Sequence, residues 1–208
     1  MRVHQLLHLN ALDEQGLLHF PLRLVGGVLL VAGCIADLAL AGRVRIEGDA
    51  LQVLDPTPLQ DPALDAVLAA LPGTQVETAA RELMAEIAIV DLCAQGLVRD
   101  GLATLQTQRM LLVFKKHVLQ PADTPQVRAA KGLLGRAMAG QALSPQEHTA
   151  LALCVPAELL PFMAAGEDID PQTATASIQA RCTPEQAALQ RVLAAGVAGT
   201  RRGAPVQH

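Results

Sequence analysis

The sequence predicts a mostly α-helical protein, with a single compact helical domain and peripheral β-hairpins. Hydrophobic residues make up 51% of the 208 residues, enough for a substantial core. The chain has no Trp, no Tyr and only three Phe, so the core has to be built from Leu, Ala and Val. Leu and Ala favour helices. We expect the domain to cover residues 1–199 and a flexible tail to span residues 200–208.

The charge balance argues against a nucleic-acid partner. The chain carries 16 Lys and Arg against 20 Asp and Glu, a formal net charge of -4. Proteins that bind duplex nucleic acid usually show a basic stripe or domain. Binding to single strands depends on aromatic stacking, for which this chain has few side chains. We therefore expect no nucleic-acid binding.

The first half of the chain contains two predicted helices ahead of a hairpin. Residues 3–12 form a first helix, and residues 24–41 form a long apolar helix that Gly42 ends as a C′ glycine. The uncharged run of residues 24–36 is shorter than the roughly 20 residues of a membrane span, and Asp37 follows it. We interpret it as a core helix.

Two alternating runs, residues 43–47 and 50–54, flank Gly48-Asp49 and predict a β-hairpin. Asp61-Pro62 is an N-cap followed by proline and starts the next helix. A longer helix is predicted from Glu77 to Gln95 with Gly96 as its C-cap, followed by a strand and turn at 97–101.

The second half contains clear helix starts. Thr124-Pro125 begins a helix that ends at Gly140, and Ser144 with Glu147 forms a capping box for a helix that reaches Val155. A short helix bounded by Pro156 and Pro161 follows, and then an acidic linker at 166–171. Thr183-Pro184 starts the final helix, with fraying expected from Thr200.

The cysteines predict a reducing environment. Cys34, Cys93, Cys154 and Cys182 lie far apart among aliphatic neighbours and form no CxxC pair. Zinc sites usually need closely spaced ligands. We interpret the four as small buried hydrophobes. Since the N-terminus also lacks a signal-peptide pattern, we expect a cytoplasmic protein.

The sequence shows no enzyme signature. His4 and His8 have the i, i+4 spacing of a two-histidine metal site, but Gln5 stands where a zincin needs Glu, and packing or surface histidines are the favoured interpretation. Ser144 caps a helix and lies outside a GxSxG elbow. The acidic run at 167–170 is interpreted as a solvated linker. We expect no catalytic residue, metal or cofactor.

One segment does suggest a function. It is an apolar run between cations in a predicted second hairpin, and it consists of Arg109, Met110, Leu111, Leu112, Val113, Phe114, Lys115 and Lys116. Aliphatic side chains can enter a membrane interface while Lys and Arg meet anionic headgroups. The alternatives are a buried strand with solvated flanking charges and a contact with another subunit.

The order of these signals resembles the Golgi phosphoprotein 3 family over residues 3–195. The family pattern has a segment close to E-L-A-L-R-G-R at the end of an apolar helix, followed by a run similar to P-T-G-D-x-L-L-D. A further segment, V-E-K-G-L/V, precedes a hairpin. The corresponding segments here are residues 36–43, 55–65 and 95–98, together with Leu6-Leu7 and the run at 12–16 that resembles the family's opening. The expectation is a bacterial member, since no long N-terminal extension precedes the match.

The resemblance implies a non-enzymatic helical domain that binds membranes. The family's eukaryotic members bind phosphatidylinositol 4-phosphate, insert a hydrophobic hairpin and act as adaptors for glycosyltransferases. The hairpin corresponds to residues 101–119 here. The family's headgroup pocket uses one Trp and three Arg, at positions that fall near Leu22, Val31, Glu82 and Ala85. Because none of these residues matches, no headgroup ligand is transferred.

Two functions remain open. The first is a peripheral module that binds anionic phospholipid, of phosphoinositide type, without the family's headgroup residues. The second is a soluble protein-interaction or oligomerisation domain that has lost lipid binding. A protein partner or a homo-oligomer is compatible with either.

Overall fold

Ten helices and two small antiparallel sheets make up the described part of the chain. The computed structural model describes residues 1–19, 22–47, 50–71, 88–110, 114–165 and 167–203. The predicted mostly α fold is confirmed. The helices are α1 (Val3–Ala11), α2 (Leu22–Leu40), α3 (Pro62–Ala70), α4 (Ile89–Arg99), α5 (Pro125–Lys131), α6 (Leu133–Met138), α7 (Pro145–Cys154), α8 (Leu160–Met163), α9 (Pro171–Gln179) and α10 (Pro184–Gly203).

The strands form two hairpins. β1 (Val44–Glu47) pairs with β2 (Ala50–Val53), and β3 (Ala103–Met110) pairs with β4 (Phe114–Pro121). The first hairpin is where the alternating pattern predicts it, although its turn at 48–49 lies outside the described residues. Helix α10 continues to Gly203, and residues 204–208 also lie outside the description.

Helix α2 is the centre of the core, as predicted. It packs against α1, α3, α4, α7 and α10. By length and composition α2 could span a membrane, but 83% of its most apolar window is buried inside the protein. The helix ends in a Schellman motif, in which Gly42 has φ +69° and the Arg43 N–H donates to the Leu38 carbonyl over 2.9 Å.

Helix α1 is buried along its whole length. All nine of its residues are buried, including the polar side chains His4, Gln5, His8 and Asn10. It contacts α2, α4, α5 and α7, so it lies inside a ring of other helices. Buried polar groups need hydrogen-bond partners, and the Asn10 amide donates to the carbonyls of Leu6 and Ala130.

The predicted helix starts at Asp61, Ser144 and Thr183 are confirmed. The Asp61 carboxylate accepts from the amides of Ala63 and Leu64 at the start of α3. Ser144 and Glu147 form the capping box of α7. At the start of α10, the Thr183 hydroxyl accepts from the Gln186 amide over 3.2 Å.

The predicted end of α4 is wrong. The helix continues through Gly96 to Arg99, so residues 97–99 are helical and not a strand. Leu97 is fully buried and extends the apolar face of Ile89 and Cys93, which makes continuation favourable. The helix ends at Gly101, whose φ of +67° fits the C′ position of a Schellman motif. The predicted start at Glu77, up to residue 87, lies outside the described residues.

Three other expectations need correction. The helix predicted from Thr124 to Gly140 is two helices, α5 and α6, which meet at Gly132. Pro161 lies in the first turn of α8, where proline is tolerated, and does not bound that helix. Helix α9 was not expected. Its N-cap, Asp170, belongs to the segment interpreted as an acidic linker and accepts from the Thr173 amide.

Replacing Leu38 or Leu30 by Ala should lower the free energy of unfolding by about 2–5 kcal/mol, because each side chain is almost fully buried in α2 and its loss leaves a cavity. Leu40→Ala in the same helix is the matched control, since Leu40 is 45% exposed and its loss should cost less than about 1 kcal/mol. Urea denaturation measures all three, and equal costs would contradict the assignment of α2 as the core helix.

Candidate functional site

The candidate segment lies at the far end of the hairpin β3–β4. The two strands pair over eight rungs, from Ala103 opposite Pro121 to Met110 opposite Phe114. In this register Arg109 lies opposite Lys115, and Gln108 lies opposite Lys116. The remaining three residues of the segment, Leu111, Leu112 and Val113, lie outside the described residues. The predicted hairpin is therefore present, and its register brings two of the cations together.

The base of this hairpin is fixed to the protein body. The Ala122 N–H donates to the Leu102 carbonyl over 2.9 Å, and the Leu119 N–H donates to the Gly16 carbonyl over 3.1 Å. A Cβ atom at Gly16 would lie 2.6 Å from the Leu119 carbonyl oxygen, and Gly16 has φ +76°. Only glycine therefore allows this approach. A two-stranded ribbon is marginally stable alone, so these contacts define its orientation.

Beyond its base, strand β3 leaves the body. Leu102 and Ala103 are buried, whereas the next four residues, Thr104 to Thr107, are all exposed. Leu105 is 57% exposed, and on the partner strand Val118 and Leu119 next to the base are buried. Successive residues of a strand point to opposite faces. Both faces of β3 are therefore in solvent from Thr104 to Thr107.

The hairpin is positively charged in an acidic protein. Residues 101–122 contain no Asp or Glu but include Arg109, Lys115 and Lys116. The sign of this charge is opposite to that of the whole chain, whose formal net charge is -4.

An ion-pair network around one buried carboxylate lies close to the start of β3. Asp61 is 1% exposed and pairs with both Arg2 and Arg99. Burial alone would raise the pKa of the Asp61 carboxyl. The hydrogen bond from Arg99, together with His4, the Leu64 amide and Arg2, outweighs burial, so the pKa of Asp61 is lowered. Arg99 also pairs with Asp100, the C-cap of α4 immediately before β3. Sequence reasoning identified Asp61 only as an N-cap and missed this network.

A profile of the family described as Golgi phosphoprotein 3 (GPP34) matches residues 4–196. The chain belongs to the Golgi phosphoprotein 3 family. The match includes both hairpins and most of α10, which confirms the resemblance seen in the sequence. A sequence search of curated proteins finds no match.

The family's headgroup positions do not form a ligand site here, as far as they are described. In this member of the Golgi phosphoprotein 3 family, Leu22 and Val31 are fully buried in α2. Apolar side chains without solvent contact cannot bind a phosphate. The other two positions, Glu82 and Ala85, lie outside the described residues.

The histidines of α1 are packing residues. The His4 Nδ1–H donates to the Asp37 carboxylate over 2.8 Å, and both side chains are buried. Among the described residues, no group of three His, Cys, Asp or Glu side chains is arranged to hold a metal ion. His8 is 2% exposed, and its Nδ1 has no hydrogen-bond partner in the described part of the chain.

The cysteines are free thiols, and three of them are buried. Cys34 of α2 lies next to Cys93 of α4, and burial raises the pKa of the Cys34 thiol well above its ordinary value. Burial likewise raises the pKa of Cys154 to about 12. Because the thiolate is the reactive form, these three buried side chains act as the small hydrophobes that the sequence predicts. Cys182 differs from the prediction, since it is only partly buried.

His8 should make the protein less stable in mild acid. Burial, with a smaller contribution from His4, lowers the pKa of His8 from 6.5 to about 4. The unfolded chain therefore binds the proton first, so stability is full above pH 6.5 and falls down to about pH 4. At pH 5 the loss from this group is about 2 kcal/mol.

Urea denaturation at pH 7.5 and pH 5 measures this loss, and His8→Gln should reduce it. Leu38→Ala is a control that destabilises the core but keeps His8, and it should show the full loss. An unchanged pH dependence in His8→Gln would contradict the prediction.

Proposed function

We propose that this protein is a peripheral membrane-binding domain that attaches to anionic phospholipid surfaces through the tip of the hairpin β3–β4. The observation that carries the proposal is the exposed, acid-free hairpin, which extends from a fixed base and carries opposed cations close to an apolar run. An apolar run alone binds membranes weakly, and a cationic patch alone is screened by salt. The combination supplies the two signals that stable, reversible attachment needs.

The length of the hairpin separates its tip from the acidic body. Seven steps along β3, from Ala103 to Met110, span about 23 Å at about 3.3 Å per residue. The Debye length at physiological salt is about 8 Å. Most of the repulsion between an anionic surface and the body, in a chain of net charge -4, is therefore screened when the tip touches the surface.

We also propose that the domain acts without catalysis. The His4–Asp37 pair has the composition of a catalytic dyad, but His4 is fully buried and Asp37 accepts hydrogen bonds from the backbone of α1. A substrate could not reach His4 without displacing a core helix. This pair therefore has a structural role.

The hairpin also offers a surface for another protein chain. A two-stranded ribbon leaves the outer edge of each strand open to pairing, and Leu105 adds exposed apolar surface. Oligomerisation or partner binding through this hairpin is therefore the competing function.

The double charge reversal Lys115→Glu/Lys116→Glu should weaken binding to vesicles that contain phosphatidylserine by at least about tenfold. Each Lys near an anionic surface contributes about 1 kcal/mol, and the reversal adds repulsion. Flotation of the protein with vesicles measures the effect, and binding of the wild type should also fall as salt rises.

Arg181→Glu/Arg191→Glu is the matched control, since it changes the net charge equally but affects one residue before α10 and one within it. It should leave vesicle binding near the wild-type level. If both double variants lose binding equally, the whole charge of the protein would be responsible and the hairpin assignment would fail.

Leu112→Asp distinguishes the membrane from the competing function. If the tip enters the membrane, this change should abolish vesicle binding while thermal stability and mass in solution stay unchanged. If the tip instead contacts another chain, the variant should dissociate an oligomer in light scattering. A large drop in melting temperature would place Leu112 in a folded core. Either of the last two results counts against the proposal.

We expect little preference for phosphatidylinositol 4-phosphate over other anionic lipids. Leu22 and Val31 are buried where the family places headgroup ligands, so binding should depend on surface charge density alone. Vesicles that carry equal total charge from phosphatidylinositol 4-phosphate or phosphatidylserine should bind the protein within about twofold. Strongly selective binding to the phosphoinositide would contradict this expectation.

A further inference from the structure

A large cleft lies where the end of α2, the strand β1 and the starts of α7 and α10 meet. Its volume is about 800 Å³, within the range of about 300–1,000 Å³ that is usual for small-molecule sites. The hairpin β3–β4 contributes none of its described lining. The proposed membrane contact therefore does not account for this cleft.

The inside of the cleft is apolar. Its deepest lining includes Ala36, Val44 and Leu189, each almost fully buried. Leu40 and Leu54 border it at 45% and 43% exposure, and they are two of the five large hydrophobic side chains that stand exposed in the described part of the chain. Concentrated exposed apolar surface usually marks a binding site.

Two arginines lie at the rim of the cleft. Arg45 and Arg181 line it, with Glu185 as the one acidic side chain among its described lining residues. Glu185 accepts a hydrogen bond from the Thr183 hydroxyl over 3.0 Å, and Arg45 pairs with Glu47 outside the cleft. Arg181 is exposed and forms no ion pair within the described ranges. The Arg181 guanidinium is therefore the cation of this rim that an anionic head can pair with.

We propose that this cleft binds a single-chain anionic amphiphile, such as a long-chain carboxylate, with its alkyl chain along the apolar lining and its carboxylate at Arg181. Charge complementarity between Arg181 and a carboxylate favours this occupant. The apolar lining of the cleft suits one alkyl chain, and the guanidinium at its rim suits one anionic head group. His148, half-buried at the same rim, supplies a further nitrogen for a hydrogen bond to the carboxylate.

Calorimetric titration with sodium decanoate and sodium dodecanoate, each below its micellar concentration, tests the proposal. We expect one site per chain. Each added methylene should raise the affinity about fourfold, so dodecanoate should bind at least about tenfold more tightly than decanoate. Dodecyltrimethylammonium, with the same chain and the opposite charge, should bind much more weakly.

Two variants and two matched controls identify the site. Arg181→Glu should weaken dodecanoate binding at least about fivefold. It should also reduce the ratio of the affinity for dodecanoate to the affinity for dodecyltrimethylammonium. Arg191→Glu, on an exposed part of α10, should change neither quantity. Leu54→Ser should weaken binding, whereas Leu24→Ser, at a leucine that is 59% exposed outside the cleft, should not. Melting temperatures of all four confirm that each variant is folded.

Three results would overturn the proposal: no dodecanoate binding, equal binding of the ammonium probe, or affinities that Arg181→Glu and Leu54→Ser leave unchanged. A dimer that Leu54→Ser dissociates would assign the cleft to a second copy of the chain and would also overturn it. The proposal is independent of the membrane function. Lys115→Glu/Lys116→Glu should leave dodecanoate affinity unchanged, and Arg181→Glu should leave vesicle binding unchanged.

Discussion

The fold depends on a short buried helix whose two ends are completed by side chains from other helices. At the start of α1, the Asp37 carboxylate accepts from the amides of Val3 and His4 over 2.8 and 3.0 Å. At its end, the Lys131 ammonium donates to the carbonyls of Leu9 and Leu12. A nine-residue helix is marginal on its own, and unsatisfied helix ends are costly when buried. Helix α1 is therefore stable only when α2 and α5 are already in place beside it.

Side-chain hydrogen bonds also connect α1 to the hairpin β3–β4. The Gln5 side chain of α1 donates to the Asp100 carboxylate over 2.7 Å, and Asp100 caps the end of α4. The Schellman turn at Gly101 then leads directly into β3. Asp61 is a buried carboxylate and is stable only with its partners Arg2 and Arg99, and Arg99 in turn pairs with Asp100. These contacts specify the position of the end of α4 relative to α1. The direction in which the hairpin leaves the body follows from that position.

Local patterns predict most of the elements but not the contacts between them. The apolar run of α2, the N-cap at Asp61 and the capping box at Ser144 are visible in sequence because each acts within one or two turns. The end of α4 was misplaced because Gly96 and Gly101 are both plausible C′ glycines, and only the burial of Leu97 decides between them. Helix α9 was missed because it buries only Ala174 and Ile178, too few for an apolar pattern.

In the candidate site too, the local features can be predicted from the sequence and the contacts between distant residues cannot. The composition of residues 109–116 is local, so the sequence identifies the segment. Whether β3 is buried depends on what packs beside it, and the exposure of Leu105 answers that only in the fold. The Asp37 carboxylate forms two hydrogen bonds with the start of α1, and its partners are 34 and 33 positions away in the sequence. No local sequence pattern predicts these bonds. The cleft is still less predictable, since its lining comes from segments spread over residues 36–189.

A fixed hairpin on an acidic body has a consequence for how the protein would meet a membrane. Backbone hydrogen bonds at Gly16 and Leu102 hold the base of the hairpin to the core. In the proposed attachment, an anionic surface would attract residues 109–116 and repel a body that carries the remaining negative charge. Attachment through the hairpin would therefore also orient the body. With few cations and a short apolar run, such an attachment would be reversible.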